Sequence, residues 1–175
     1  MQLAQDFVDI ARMSETEFGG EDVLLADLVR EAADGLWPLA SERGIAVDVV
    51  DTSDAAFVLA EPDSLSRAFC NLIDNAIKFS PDSGRIAVDI GGEHGAIKVT
   101  IRDHGPGIAP DILIRLFRRF ASDGVQRGRV RGIGLGLAYV EAVIKRHGGT
   151  ISAENATGGG ARFTVSLPEA PEPNA

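Results

Sequence analysis

The 175-residue sequence predicts an α+β fold, a two-layer α/β sandwich in which helices cover one face of a mixed sheet. Three observations carry that prediction. A long helix opening at Glu61-Pro62-Asp63 has a continuous apolar stripe. Short alternating or apolar segments at 45–50, 85–90, 96–102, 149–154 and 161–167 read as strands. Helices and hairpins are mixed, without the regular strand–helix–strand alternation of a doubly wound parallel sheet.

Taken in order, residues 2–17 predict a helix with Leu3, Phe7 and Ile10 on one side, ended by Gly19-Gly20. A short strand near Val23-Leu24-Leu25 follows. Leu28, Val29, Ala32, Ala33, Leu36 and Leu39 then recur at helical spacing to about residue 42, with Pro38 predicting a kink. Ile45, Val47 and Val49 alternate as a strand, and Phe57-Val58-Leu59 predicts another. The long helix carries proline near its first turn and is closed by Pro81-Asp82-Ser83-Gly84. Segments 85–90 and 96–102 predict a hairpin joined by a loop containing Gly91, Gly92 and Gly95. A short helix over 110–119, a Gly- and Arg-rich stretch over 121–132, a helix over 134–147 and two closing strands complete the domain. The expected organisation is residues 1–19 as the end of a preceding helix, 20–168 as one domain and 169–175 as a disordered tail.

Composition narrows the function. Net charge is −9, from 17 basic and 26 acidic residues, which argues against a nucleic-acid partner. No apolar run reaches about 18 residues, so the sequence contains no transmembrane helix. Cys70 is the one cysteine and reads as a small buried hydrophobe in a reducing compartment. One cysteine and three scattered histidines argue against a structural zinc site.

Three segments carry chemistry. On the long helix Asn71, Asn75 and Lys78 form one polar stripe, opposite Leu65, Phe69, Leu72, Ile73, Ala76 and Ile77. Carboxamide oxygens can ligate a hard cation alongside substrate phosphates, and a lysine one turn on can meet those phosphates. Taken alone, the stripe reads first as an exposed polar face. Asp103-His104-Gly105-Pro106-Gly107-Ile108 follows a strand; its carboxylate can accept from an exocyclic amine, or the segment is a plain turn. Gly132-Ile133-Gly134-Leu135-Gly136-Leu137 opens a helix, where free backbone N–H groups and the helix dipole attract an anion. Arg127, Arg129 and Arg131 precede it, either solvated or placed to close over a ligand as a lid. Phe117 and Phe120, three apart, read first as core aromatics and second as an anchor for that lid.

In this order the segments resemble the catalytic, ATP-binding domain of bacterial sensor histidine kinases, within the gyrase, chaperone and histidine-kinase ATPase superfamily. The asparagine box is similar to Asn71–Phe79, the first glycine box to Asp103–Ile108, the phenylalanine box to Leu116–Phe120 and the second glycine box to Gly132–Leu137. His147-Gly148-Gly149 and Gly158 through Phe163, ending in Leu167-Pro168, follow the family's closing strands. The resemblance implies ATP and magnesium as cofactors. It places Asn75 on the metal, Asn71 in support of metal or phosphates, Lys78 on phosphate and Phe79 beside the nucleotide. Asp103 would read the adenine amino group, with Gly105, Gly107 and Ile108 shaping the pocket. Arg131, Gly132, Gly134, Leu135, Gly136 and Leu137 would line the phosphates beneath a flexible ATP lid. Arg118, Ile133, Ala161 and Arg162 depart from the residues common at their positions.

The resemblance also separates reactions. Hydrolysing relatives carry a glutamate where this chain has Asn71, and an amide is no general base near neutral pH. The expected activity is therefore γ-phosphate transfer from ATP to a histidine, for relay to a response regulator receiver domain. None of His94, His104 and His147 lies in an acceptor pattern, so a separate dimerisation hairpin is expected to carry the acceptor. Residues 2–17 resemble the last turns of such a hairpin, which predicts no self-phosphorylation and a monomer or weak dimer of cytoplasmic location. The alternatives are a non-catalytic ATP-sensing or scaffold module and, further off, an ATP-hydrolysing relative.

Overall fold

The computed structural model describes residues 17–54, 56–118 and 136–171. Residues 2–16 of the helix expected over 2–17, Arg119, Phe120, the 121–132 stretch, Arg131, Gly132, Gly134, Leu135 and residues 172–175 lie outside the described residues.

In chain order the elements are β1 (Glu21–Leu24), α1 (Leu25–Gly35), α2 (Trp37–Glu42), β2 (Ala46–Thr52), β3 (Phe57–Ala60) and α3 (Pro62–Phe79). There follow β4 (Arg85–Glu93), β5 (Ala96–Arg102), α4 (Pro110–Leu113), α5 (Gly136–Arg146), β6 (Thr150–Asn155) and β7 (Ala161–Pro168). Five strands form a mixed sheet in the order β2-β4-β5-β7-β6, with β2 parallel to β4 and the other pairs antiparallel. Strands β1 and β3 form a separate antiparallel pair. This is the α+β sandwich that the mixture of helices and hairpins predicts.

Alternation decides which sheet face is covered. Ile97, Val99 and Ile101 of β5, and Phe163, Val165 and Leu167 of β7, are buried, while Lys98, Thr100, Thr164 and Ser166 between them are not. Leu65, Phe69, Leu72, Ile73, Ala76 and Ile77 of α3 are all buried in the same core, as the stripe predicts. Each large apolar side chain removed from water contributes about 1.5–3 kcal/mol, so this layer dominates the stability. Cys70 is only partly buried and packs against the core, and burial raises its thiol above the ordinary range.

Three expectations are corrected. The helical pattern over 28–42 is two helices, since the backbone leaves helical geometry at Leu36 and Pro38 then starts α2 rather than kinking a single helix. The hairpin turn is short, because Gly91 and Gly92 are strand residues paired with Lys98 and Ile97. Cross-strand hydrogen bonds hold these glycines extended despite their low strand propensity. The helix expected over 110–119 is limited to Pro110–Leu113, with turns continuing from it. Within the tail, Glu169 and Ala170 donate backbone N–H groups to Gly95 O at 3.1 Å and Phe57 O at 2.7 Å.

Helices α3 and α5 pack against each other in opposite directions. Glu61, just before α3, pairs with Arg146 at the end of α5 (Nε–Oε2 2.9 Å; Nη2–Oε1 2.7 Å). The Glu61 N–H donates to His147 Nε2 at 3.0 Å, and His147 Nδ1–H donates to Val143 O at 2.7 Å, which defines the neutral tautomer. Midway, the Arg67 guanidinium lies over the Tyr139 ring at 4.7 Å. At the other end Asn71 meets Gly136, whose Cβ position would lie 3.8 Å from Asn71 Cγ. Among the described residues no helix is long and apolar enough to cross a membrane.

Candidate functional site

The site is assembled from α3, the loop after β5, the start of α5 and the β6–β7 turn. Asn71 and Asn75 project from the half-buried side of α3. Asn71 Nδ2 is buried and has no hydrogen-bond partner among the described residues. A buried amide N–H left without any partner costs about 1–3 kcal/mol. Lys78, about one turn beyond Asn75, is exposed and ion-paired with Asp74. Phe79 ends the helix 62% exposed, an aromatic face open to a planar partner.

Asp103 supplies the opposite kind of group. It is 3% exposed, and its Oδ1 accepts the N–H of Gly105 at 2.8 Å and of Ala161 at 3.1 Å. With both bonds made to one oxygen, Oδ2 keeps its capacity to accept from an amino group. The Asp103 backbone N–H donates to Ala161 O at 3.0 Å, so the residue is locked to β7 by side chain and main chain together.

Gly105 touches α3 directly: a Cβ there would stand 2.3 Å from Phe79 O. The loop and the last turn of the helix therefore meet backbone to backbone, which sets the spacing between Asp103 and the α3 stripe. Gly107 sits beside the Asn155 amide, whose Oδ1 accepts the Ile108 N–H at 2.7 Å and whose Nδ2 donates to Ile108 O at 2.9 Å. Gly136 and Leu137 begin α5, and Leu137 packs against the core. Leu116 and Phe117 also pack there, in line with the reading of Phe117 as a core aromatic.

The structure thus sets Gly105 of the Asp103 loop against Phe79 and Gly136 against Asn71, with Asn75 and Lys78 on the same helix and Gly107 and Ile108 beside Asn155. It adds two residues that sequence reasoning missed. Asn155 ends β6 with nothing in its local sequence to mark it. Gly160 has φ +85°, and a Cβ on it would lie 2.0 Å from Asp103 O. The run Gly158-Gly159-Gly160 was the available signal for it.

Residues 60–171 match the family described as histidine kinase-, DNA gyrase B-, and HSP90-like ATPase. The chain belongs to that family. It is 30% identical over 179 residues to the sensor protein DivL of Caulobacter vibrioides, covering 99% of this chain and 23% of DivL. It is 43% identical over 112 residues to the sensor histidine kinase component HK1 of Mycobacterium tuberculosis, covering 64% of this chain and 65% of HK1. The fold is similar to that of full-length ShkA in complex with AMPPNP, with TM-score 0.83 and 29% identity over 97% of this chain and 35% of ShkA. The chain thus spans from 23% to 65% of the length of these relatives. Within the histidine kinase-, DNA gyrase B-, and HSP90-like ATPase family, it is an ATP-binding catalytic domain of the histidine kinase kind.

Proposed function

We propose that this domain binds ATP with magnesium and transfers the γ-phosphate to a histidine on a dimerisation hairpin, from which a response regulator receiver domain draws it. The observation that carries this reading is the Asn71 Nδ2, buried without a partner among the described residues and facing the first turn of α5. A buried donor without a partner, at a helix N-terminus, suits a phosphate oxygen.

Asp103 Oδ2 would accept from the adenine amino group, and exposed Phe79 would lie against the base. Lys78 would exchange Asp74 for phosphate. The α3 side chains also fit magnesium, because a carboxamide offers a neutral oxygen beside phosphates that supply the charge. Asn75 would hold the ion, with Asn71 in support. When bound, magnesium neutralises phosphate charge and fixes the shape of the phosphate chain. Arg131, Gly132, Gly134 and Leu135 belong to the same phosphate-binding proposal by their motif alone.

The acceptor is a histidine of another segment. His147 is buried with both ring nitrogens engaged. His104 bonds Arg85 O through Nδ1 at 2.8 Å, and His94 occupies a tight turn at φ +53°. At the position where hydrolysing relatives place a glutamate, the Asn71 amide cannot take a proton from water. Transfer rather than hydrolysis follows, in a cytoplasmic phosphorelay.

The test supplies ATP, magnesium and a separate acceptor hairpin from a sensor kinase. Labelled phosphate is expected on the hairpin and not on this chain. Steady ATP turnover without an acceptor would establish hydrolysis instead. Nucleotide binding with no transfer to any acceptor would leave an ATP-sensing scaffold.

A further inference from the structure

We propose that Arg43, which lies in none of the recognised motifs, is a positioning residue that sets Lys78 and Phe79 against the Asp103 loop. The inference rests on the nucleotide reading above.

The last carbonyls of a helix have no N–H partner within the helix. At the end of α3 they are met by one side chain from the end of α2, 35 residues earlier in the chain for Lys78. Arg43 Nη1 donates to Ile77 O and, at 3.4 Å, to Lys78 O; Nη2 donates to Ser80 O at 2.7 Å. Asp82 holds the guanidinium in place, its Oδ1 accepting from Nε at 2.9 Å and ion-paired with Nη2 at 2.8 Å. The Arg43 carbonyl accepts the Ser83 N–H at 2.9 Å, so main chain and side chain clamp the same turn. A cation at a helix C-terminus is also favoured by the helix dipole.

Capping alone would stabilise the helix and do nothing more. The position of this cap gives it a further consequence. The carbonyls of Ile77, Lys78 and Ser80 flank Phe79, and Phe79 O abuts the Gly105 backbone with no space for a Cβ. Arg43 grips the last turn of α3 from one side while the Asp103 loop closes it from the other. That turn is the direct backbone junction between the phosphate side of the site, on α3, and the base side, at Asp103. Without Arg43 the turn frays, and Lys78 and Phe79 lose their fixed relation to Asp103. Arg43 acts through these two residues and not by touching nucleotide.

The experiment is calorimetric titration of AMPPNP with magnesium into wild type, Arg43→Ala, Arg43→Lys, Lys78→Ala and the Arg43→Ala/Lys78→Ala double variant. Wild type is expected to bind. Arg43→Ala should lose about tenfold in affinity, a loss in keeping with removal of charge-assisted hydrogen bonds. Arg43→Lys keeps the charge and part of the donor set, and should recover about half of that loss on a logarithmic scale. In the Lys78→Ala background the same Arg43→Ala change should cost less than about threefold, because one group it positions is gone. If Arg43→Ala fails to fold, Asp82→Asn loosens the guanidinium without removing the cap, and an affinity loss of about two- to fourfold is expected. Affinity unchanged in Arg43→Ala, or in both Arg43→Lys and Asp82→Asn where the alanine variant fails to fold, would reduce Arg43 to a stability cap and overturn the proposal. An equal loss in both Lys78 backgrounds would overturn it as well. Absence of binding by folded wild type would overturn the nucleotide reading and this proposal together, an outcome distinct from wild-type binding with silent Arg43 variants.

Discussion

Helices α3 and α5 lie side by side, and their two ends are built on opposite terms. Where α3 begins and α5 finishes, Glu61 bonds both Arg146 and His147, Gly19 N–H donates to Glu61 Oε1 at 3.3 Å, and Arg146 Nη2 donates to Glu17 O at 2.9 Å. The Phe18 ring meets the His147 ring edge-on at 5.1 Å. Where α5 begins, Asn71 Nδ2 is buried without a partner among the described residues, and about two turns further along α3 Phe79 is exposed and Lys78 rests on a neighbour of its own helix. One end satisfies its polar groups within the protein and fastens the chain that enters the domain. The other leaves them for a ligand. A helix pair can carry both because polar groups several turns apart along the same rod, with no shared partner, scarcely couple.

The largest effect is expected at the open end. Asp103→Asn retains an oxygen for the Gly105 and Ala161 N–H groups but presents a donor where the carboxylate accepted. Affinity for an ATP analogue, measured by calorimetry, should fall by at least about 30-fold while the fold persists. Binding equal to wild type would remove Asp103 from the site and break the comparison at its first point.

The closed end should respond in stability and not in binding. Arg146→Ala leaves the Glu61 carboxylate partly buried without its cation, and a loss of about 2–3 kcal/mol is expected in chemical denaturation. Nucleotide affinity should stay within about twofold of wild type, since the two ends add independently. A large affinity loss without a stability loss would show that the ends communicate.

Acid should weaken the closed end first. Burial holds the His147 pKa below its ordinary 6.5, and the Arg146 hydrogen bond holds the Glu61 carboxyl below its ordinary 4.5. The unfolded chain therefore binds more protons than the folded one below about pH 6.5. The His147 contribution to stability is present above that pH and is lost as pH falls toward its folded pKa. The Glu61 contribution is present above 4.5 and is lost at lower pH, through its folded value. Denaturation curves should show stability falling between about pH 7 and 5.5, and His147→Gln should flatten that fall. A fall of equal size in the variant would assign the acid response elsewhere.

The smallest change in stability is expected at Asn71. Asn71→Ala removes an amide that has no partner among the described residues, so stability should stay within about 1 kcal/mol of wild type or rise. Analogue affinity should fall. A marked destabilisation would mean that the amide is engaged within the folded protein, and the contrast between the ends would narrow.

The elements that local pattern decides were legible. The stripe of α3 places Leu65, Phe69 and Leu72 inward at helical spacing, and Ile97, Val99 and Ile101 alternate along β5. Gly91 and Gly92 misled because their low strand propensity is overridden by the ladder on which they pair. The apolar residues at 112–117 misled in the other direction, since Leu116 and Phe117 reach the core from turns. At the site, Asn71, Asn75, Lys78 and Asp103 were legible as motif residues. Asn155 and Arg43 were not, because each matters through a partner far away in sequence, 47 residues in the case of Asn155 and Ile108.

Sequence by itself determined which side chains leave water, where the long helix begins and ends, and which residue types are available to meet a nucleotide. Burial preference and backbone propensity belong to single residues and their near neighbours, so they are written locally. Tertiary structure alone decided that Ala161 N–H bonds Asp103 across 58 residues, that Arg146 closes on Glu61 across 85, and that Arg43 grips the end of α3. A hydrogen bond or ion pair belongs to two groups at once, and only the path of the chain through the β5–β7 pairing and the α3–α5 packing brings those groups within reach.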